Sequence, residues 1–234
     1  MELSDIQELI RYTHQYKSCK EYQDNYEVIH GYAVITHLED TQSELEDAKK
    51  LGFTDLSYLP RIGVKKYNAD PSVVNRIKNI PDHVNTALCD DNYLIAKLGF
   101  DEILLVSSIS SDGELIKSLN KDNKNIAGCE DQAVLVPRHD THACFALTGS
   151  LTSELFAKIC AVDLRLNKIK NLEVVQTNIA RISAIIIRND FNECPCFYIL
   201  VDQSYVHYFW SCITELMEEF SGNIIGCHSF SLLR

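Results

Sequence analysis

The sequence predicts an α+β fold in which two β-α-β-β-α modules pack around a central cleft. The order of strand, helix, hairpin and helix occurs twice along the 234 residues, and no Pro/Gly-rich linker separates the two copies. The composition, 46% hydrophobic and 24% charged, is that of an ordinary globular protein. One such module would bury its helices poorly, so we expect the two modules to share one core, with a ligand between them.

Charge and cysteine content restrict the class of protein. The chain has 22 Lys and Arg against 33 Asp and Glu, a net charge of −11, which argues against nucleic acid and against anionic membrane surfaces as partners. The N-terminus has no apolar signal-peptide core, and the most apolar run, Ile182–Ile187, is too short to span a bilayer. Nine cysteines with irregular spacing then indicate a cytoplasmic protein with reduced thiols.

Residues 1–52 are predicted to form an N-terminal extension of helices and a strand. A capping box at Ser4 and Gln7 predicts a short amphipathic helix that ends near Tyr16, which either packs on its own domain or docks on a partner. The stretch 26–36 is rich in aromatic and β-branched residues and predicts a strand. A second capping box, Thr41-x-x-Glu44, predicts a helix that Gly52 ends in the C′ position.

The first module is predicted over residues 53–125 and the second over residues 126–234. In the first, strands at 53–58 and 61–67 precede a helix from Pro71 to Asn79, a hairpin of 93–98 and 102–106, and a helix capped by Ser111. We expect 121–125 to form the loop between modules. In the second, a strand at 142–148 precedes a helix through Leu151 and Ile159, a hairpin of 180–188 and 197–201, and the longest helix, capped by Ser204.

Motifs with a defined chemistry are sparse. The chain has no GxGxxG, GxxxxGK[ST] or GxSxG motif, which excludes the commonest nucleotide-binding and hydrolase classes. His139 and His142 have a metal-ligand spacing but no third ligand nearby, so no metal site is predicted. Cys194-Pro195-Cys196 is C-x-C at a predicted turn, which is not the C-x-x-C of a redox site.

A few polar residues are candidates for ligand binding. Asp91, in the pair Asp90-Asp91, either lies in a solvated loop or points into the cleft and accepts hydrogen bonds. Arg181 either is an exposed strand-end residue or holds a ligand carboxylate. In the aromatic run that begins at Tyr205, His207 and Tyr208 are candidates for the rim of a site.

An ordered series of segments resembles a known family. FTDLSYLPRIGVKKYNAD, YLIAKLGFDEILLV, VPRHDTHACFALTG with SELFAKICAVDLRL, VVQTNIARISAIIIR and FYILVDQSYVHYFW resemble segments of the gamma subunit of heterotetrameric sarcosine oxidase. That family is similar to the glycine-cleavage T-protein (aminomethyltransferase) superfamily. The resemblance covers roughly residues 53 to 222.

The resemblance implies a folate-binding fold with two interleaved halves around a cleft. It implies tetrahydrofolate as the cofactor, none bound covalently, with Asp91, Arg138, Arg181 and Tyr205 as folate-binding residues and Asp82 as the candidate catalytic residue. It also implies a flavin-containing large oxidase subunit as partner.

The departures from the family pattern favour a particular role. The chain lacks the T-protein's further C-terminal barrel and the glycine-rich run before the paired aspartates, and Gln203 replaces an arginine. We therefore expect an accessory subunit of a flavin-dependent one-carbon oxidase. The alternatives are a stand-alone tetrahydrofolate-binding aminomethyltransferase-like enzyme and a folate-binding sensor or scaffold.

Overall fold

The computed structural model of the protein describes residues 10–22, 24–67, 70–123 and 133–233. The fourteen strands and eight α-helices of these segments are β1 (Arg11–Tyr12), α1 (His14–Ser18), β2 (Tyr26–Ile29), β3 (Tyr32–Ile35), α2 (Thr41–Leu51), β4 (Gly52–Asp55), β5 (Arg61–Lys65), α3 (Pro71–Val74), β6 (Thr86–Cys89), β7 (Tyr93–Lys97), β8 (Glu102–Ser107), α4 (Glu114–Asn123), β9 (Val134–Val136), α5 (Arg138–Thr141), β10 (His142–Thr148), α6 (Thr152–Ile159), β11 (Val174–Ile179), β12 (Ile182–Arg188), β13 (Cys196–Asp202), α7 (Val206–Glu218), β14 (Asn223–Ile224) and α8 (Cys227–Ser231).

The strands form three sheets, which confirms the predicted mixed α+β class. The six-stranded sheet has the order β11-β12-β13-β10-β4-β14, and the five-stranded sheet has the order β6-β7-β8-β5-β9. A small N-terminal sheet has the order β1-β3-β2. Since β4 pairs with β10, and β9 pairs with β5, each large sheet takes a strand from outside its own predicted module. The division at residues 52/53 and 125/126 stays a prediction.

The two large sheets pack face to face, and helices cover their outer sides. The shared apolar core contains Leu94 and Leu104 from the five-stranded sheet, and Ala146 and Leu200 from the six-stranded sheet. A second core joins α6 and α7 to the outer side of the six-stranded sheet, and a third joins α3 and α4 to the outer side of the five-stranded sheet. Each fully buried large apolar side chain stabilises this arrangement by about 1.5–3 kcal/mol. In the described segments no helix is long and apolar enough to cross a membrane.

The N-terminal extension differs from its prediction. The first turns of the predicted helix, residues 1–9, lie outside the described residues, and Arg11–Tyr12 is a strand that pairs with β3. The helix begins at His14 because extended Thr13 caps it, its Oγ1 accepting from Tyr16 N at 3.2 Å. The strand predicted over 26–36 is a hairpin, because His30 and Gly31 both adopt positive φ angles. Pairing with β3 makes Arg11–Tyr12 a strand instead of a helix, and the turn at His30 and Gly31 divides the second segment into two strands.

The caps of α2 also differ from their prediction. Asp40, not Thr41, is the N-cap of α2, and its Oδ1 accepts from the backbone N–H groups of Gln42 and Ser43. Gly52 has an extended φ of −110° and begins β4, instead of ending α2 in the left-handed region. A Cβ atom there would lie 2.7 Å from Thr148 Oγ1, so the glycine permits close packing of β4 against β10.

The two modules differ from their predicted element order by one strand each. The edge strands β6 and β11 were not predicted, and only one residue of β6 and two of β11 are fully buried, so their apolar signal is weak. The element order in each half is therefore β-α-β-β-β-α. The helix predicted to reach Asn79 ends at Val74, and α4 continues to Asn123, into the predicted loop 121–125.

The predicted cap of α7 is displaced by a neighbouring aspartate, whereas at the start of α4 the predicted Ser111 accepts from Gly113 N at 3.2 Å and shares the cap with Asp112. Asp202, not Ser204, accepts from Ser204 N at 2.9 Å and caps a 3-10 turn that runs into α7. Asp112, next to Ser111, accepts from Glu114 N at the start of α4. Carboxylates accept these backbone hydrogen bonds at least as well as hydroxyls, so the sequence had two suitable residues at each helix start.

Candidate functional site

A large cavity lies at one end of the inner side of the six-stranded sheet. It has a volume of about 390 Å³, within the range of small-molecule sites. We call it the Arg138 cavity. Its polar lining residues are Arg138, His142, Gln176, Thr177, Asn178 and Ser183, and its apolar ones are Ala184, Ile185 and Leu200.

Arg138 is the charged group of this cavity, and three features fix its position. It is the first residue of α5, its Nη2 donates to Glu102 Oε1 at 3.0 Å, and its Nη1 contacts His142 Nε2 at 3.0 Å. Glu102 also pairs with Lys65 at 3.4 Å. A Cβ atom on Gly63 would lie 3.1 Å from Arg138 Cγ, so the glycine in β5 makes room for the arginine. The guanidinium therefore lies in a fixed orientation at the wall of the cavity.

The second polar wall is a neutral histidine. Burial and the adjacent Arg138 cation lower the pKa of His142 to about 4. A guanidinium only donates hydrogen bonds, so His142 Nε2 accepts from Arg138 and the proton resides on Nδ1, which donates to Thr141 Oγ1 at 2.8 Å. His142 thus orients Arg138 and is not positioned to exchange a proton near neutral pH.

Gln176 connects the cavity to the other half of the molecule. Its Nε2 donates to Asn85 Oδ1 at 2.9 Å and to Leu98 O at 2.7 Å, so both of its N–H groups bond to residues of the five-stranded half. Its side-chain oxygen can only accept hydrogen bonds. On the neighbouring strand, Ser183 Oγ donates to Asn178 Oδ1 at 3.3 Å. The lining can therefore bind a polar ligand by one cation and several amide and hydroxyl groups, and it contains no activated nucleophile.

The other end of the inter-sheet space is filled. Between Leu94 and Ser107 of the five-stranded half and Phe191 and Tyr198 of the other half, a void of only about 10 Å³ remains. This void holds at most one water molecule. We call it the inter-sheet void. The sequence predicted a central cleft between the modules, and at this end of the inter-sheet space the described side chains leave only this void.

The predicted aspartates Asp82 and Asp91 line neither the Arg138 cavity nor the inter-sheet void. Asp91 is exposed in the turn between β6 and β7, whereas Asp90 Oδ1 caps that turn by accepting from Asn92 N and Tyr93 N. This turn lies at the Ser107 end of β8, and Arg138 contacts Glu102 at the opposite end. Asp82 is exposed in a loop, where its backbone oxygen accepts from Lys97 Nζ at 3.0 Å.

The other two predicted folate-binding residues are also exposed. Ala180 and Arg181 have φ angles of 49° and 69° and form the turn of the β11–β12 hairpin. Tyr208 donates its hydroxyl to Ala180 O at 3.0 Å, beside this turn. Tyr205 is 50% exposed in the 3-10 turn before α7. Of the predicted set, the structure places only Arg138 in the large cavity; the roles of the others stay predictions.

Glu102, Asn178 and Ser183 contribute to this site and were not among the predicted residues. Each lies on a strand, and the only signal in the sequence was the run of polar residues Gln176, Thr177 and Asn178 in β11. The register of those strands against each other, which sets the facing pairs, is a tertiary property.

The remaining motifs are occupied by structural contacts. His139 Nδ1 contacts Leu59 O at 3.2 Å, and His142 contacts Arg138. The two histidines with a metal-ligand spacing therefore each contact another group of the protein. No group of three or more His, Cys, Asp or Glu side chains in the described part of the chain could hold a metal ion. Cys194 and Cys196 are free thiols, both buried, and burial raises the pKa of each.

Two solved structures share this fold. A chain of heterotetrameric sarcosine oxidase from Corynebacterium sp. U-96, in complex with pyrrole 2-carboxylate, superposes with a TM-score of 0.59 at 15% identity over 78% of this chain and 93% of that chain. Glycine cleavage system aminomethyltransferase T from Bartonella henselae superposes with a TM-score of 0.69 at 14% identity over 96% of this chain. The protein spans 62% of that aminomethyltransferase.

A comparison with curated protein sequences finds no match. The family model of the GCVT N-terminal domain matches residues 84–234, which include both halves of the inter-sheet core, the Arg138 cavity and α7. The two solved structures are only 15% and 14% identical to this chain, so their similarity establishes the fold alone. The match to the family model establishes membership of the family. The chain therefore belongs to the GCVT N-terminal domain family.

Proposed function

We propose that this protein is an accessory subunit with a folate-binding fold, similar to the gamma subunit of sarcosine oxidase, in a flavin-dependent oxidase of sarcosine or a related N-methyl amine. The observation that carries the proposal is the filled inter-sheet void. A space of about 10 Å³ between Phe191 and Leu94 admits no pterin ring, so this part of the described inter-sheet space offers no room for folate.

Two further observations support the accessory role. The sarcosine oxidase chain is covered to 93% by this protein, so the two chains share nearly the whole of that subunit's fold. Several large apolar side chains are exposed, among them Phe100 at 85% and Val28 at 52%, which suits a protein that buries surface in a complex.

The proposal extends to architecture and location. We infer that the two β-α-β-β-β-α halves are copies of one module, because β6-β7-β8-β5 and β11-β12-β13-β10 repeat the same order of strands. All eight described cysteines are free thiols, which supports a reducing compartment such as the cytoplasm.

Purification of the complex tests the accessory role. A tagged chain purified from its native host is expected to bring down a stoichiometric flavoprotein whose flavin absorbance is bleached by sarcosine or another N-methyl amine. A tagged chain that elutes alone, without flavin, from a host shown to express it would contradict the proposal.

A second function has its own supporting observation, the volume of the Arg138 cavity. At about 390 Å³ it is large enough for a small-molecule ligand, and Arg138 is a suitable partner for a folate carboxylate. In this alternative the protein is a stand-alone tetrahydrofolate-binding, aminomethyltransferase-like enzyme, with its catalytic aspartate, Asp82 or Asp91, outside the cavity.

Calorimetry with folinic acid separates the two functions. The accessory role predicts no binding to the isolated chain at millimolar ligand. Micromolar binding that is lost in Arg138→Met, and retained in the matched surface variant Arg165→Met, would establish a folate site in the Arg138 cavity and favour the alternative. If Asp91→Asn left affinity and turnover unchanged, Asp91 would be eliminated as a site residue.

A further inference from the structure

Arg61 is a fully buried cation without a carboxylate partner. It is 1% exposed at the start of β5. Its Nη1 donates to Ser57 O at 3.0 Å and to Leu59 O at 2.8 Å, and its Nη2 donates to the carbonyl oxygens of His139 and His142. Its Nε is buried without a hydrogen-bond partner. No carboxylate of the described chain lies within ion-pair distance of the guanidinium, since all its contacts are carbonyl oxygens.

A buried charge of this kind creates a strong local potential. Four carbonyl oxygens satisfy hydrogen-bonding groups, but they neutralise little of the charge, and burial lowers the pKa of Arg61. Asp55 and Asp140 are the nearest acidic groups that act on it, and neither touches it. Asp55 already accepts from the backbone N–H groups of His14, Gln15 and Ser57. In a protein of net charge −11, this is a local site of positive potential.

A cavity of about 170 Å³ adjoins Arg61, at the junction of the N-terminal sheet with α5 and α7. Arg11, His14, Ser57, His139 and Asp140 also line it. One liquid water occupies about 30 Å³, so this cavity has room for a group of four or five non-hydrogen atoms. We call it the Arg61 cavity.

Arg11 is the exposed donor of this cavity, and His14 is a second polar group buried in its wall. Arg11 uses Nη1 to bind Asp140 at 2.9 Å and Tyr32 at 3.1 Å, which leaves Nε and Nη2 as further donors. His14 Nε2 is buried without a partner, and in the tautomer protonated at this atom it donates. Burial lowers the pKa of His14, so this donor is neutral. The exposed guanidinium suits an anion.

We propose that the Arg61 cavity binds a small oxyanion, a phosphate or carboxylate group, with Arg11 as the direct donor and Arg61 as the buried source of attraction. Asp140 competes with the anion for Arg11. This role is independent of the accessory-subunit proposal, because it concerns neither the Arg138 cavity nor a partner chain.

Calorimetric titrations with sodium phosphate and with sodium acetate, at constant ionic strength, test the site. Arg11→Ala is expected to weaken binding about tenfold, because it removes a charge-assisted hydrogen bond. Asp140→Asn is expected to tighten binding about threefold, because it removes a competing charge. Arg165→Ala is the matched control. Arg165 is similarly exposed and also pairs with an aspartate, Asp163, but neither residue lines the Arg61 cavity.

The two anions identify the source of the ligand. Binding of phosphate alone indicates a phosphoryl group, and binding of acetate alone indicates a carboxylate; either, with the expected order of variants, supports the site. The absence of saturable binding of both anions up to about 50 mM overturns it, and so does an equal loss in Arg165→Ala. Unchanged affinity in both Arg11→Ala and Asp140→Asn overturns it as well. Thermal unfolding of each variant verifies that it is folded.

Discussion

Truncation of Phe191 is predicted to open the inter-sheet void at a measurable cost in stability. Phe191 is 6% exposed, lines the void of about 10 Å³ and contacts the Phe230 ring edge-on at 5.4 Å. Phe→Ala changes in cores cost about 3–5 kcal/mol. We expect about 3 kcal/mol for Phe191→Ala, at the low end, because Phe191 lies in a short connection between β12 and β13 that can partly collapse.

The matched control is Phe156→Ala. Phe156 is 1% exposed and packs at 5.0 Å against Phe197, in the core on the other side of the six-stranded sheet. It should cost about 3–5 kcal/mol without enlarging the inter-sheet void. Urea denaturation measures the free energy of unfolding of both variants, and calorimetry measures their affinity for folinic acid.

Only Phe191→Ala should gain affinity for the ligand, from none detectable in the natural sequence. Two results would refute the reasoning. One is a loss below about 1 kcal/mol in Phe191→Ala, since a well-packed aromatic ring cannot be removed so cheaply. The other is micromolar binding of folinic acid to the natural protein that Phe191→Ala leaves unchanged, since the ligand would then not need the filled space.

Three further predictions concern pH, backbone conformation and the contact between halves. Burial lowers the pKa of His139 from its ordinary value of 6.5 to about 4. The stability that depends on neutral His139 is therefore fully present above pH 6.5 and falls by up to about 3 kcal/mol as the pH drops to 4. Denaturation curves at each pH should show this loss, and His139→Gln should reduce it. Gly149→Ala should lower the free energy of unfolding by more than about 3 kcal/mol, because at φ +104° its Cβ would lie 2.4 Å from Lys50 O. Gly31→Ala, with open space around it, should lower it by about 1 kcal/mol. Equal losses of stability in thermal unfolding would contradict this. Gln176→Ala should lower the free energy of unfolding by about 1–2 kcal/mol through the loss of two hydrogen bonds between the halves. Gln42→Ala, which removes one hydrogen bond to Glu46 within α2, should change it by less than about 0.5 kcal/mol in urea denaturation.

The strongly periodic parts of the chain could be read from sequence. Strand β10 has its predicted bounds, and the hairpin of β7 and β8 lies within one residue of its prediction, because their apolar residues form continuous buried runs. The longest helix was also predicted, and its Phe209 and Trp210 are buried. These elements are specified by local pattern and burial together.

Other parts depended on contacts that no local pattern contains. Arg11–Tyr12 is a strand only because β3 lies beside it, and the polar edge strand β11 is held by β12. In the site, Arg138 was identified by resemblance, but its neighbours Glu102 and Gln176 come from distant segments. Arg61, which resembles an ordinary strand-start arginine in sequence, becomes distinctive only through its four carbonyl contacts.

The pairing of β14 with β4 has a consequence for biosynthesis. The short strand at Asn223–Ile224 completes a sheet that begins at Gly52, and nearby Ile225 O accepts from Gln15 Nε2. A ribosome must therefore release the polypeptide through Ile224 before this sheet can close. Until then the inner side of β4 and β10 has no complete cover, and such exposed apolar surface favours aggregation of nascent chains. We expect the final residues of the described chain to control the yield of folded protein more strongly than their small contribution to the core suggests.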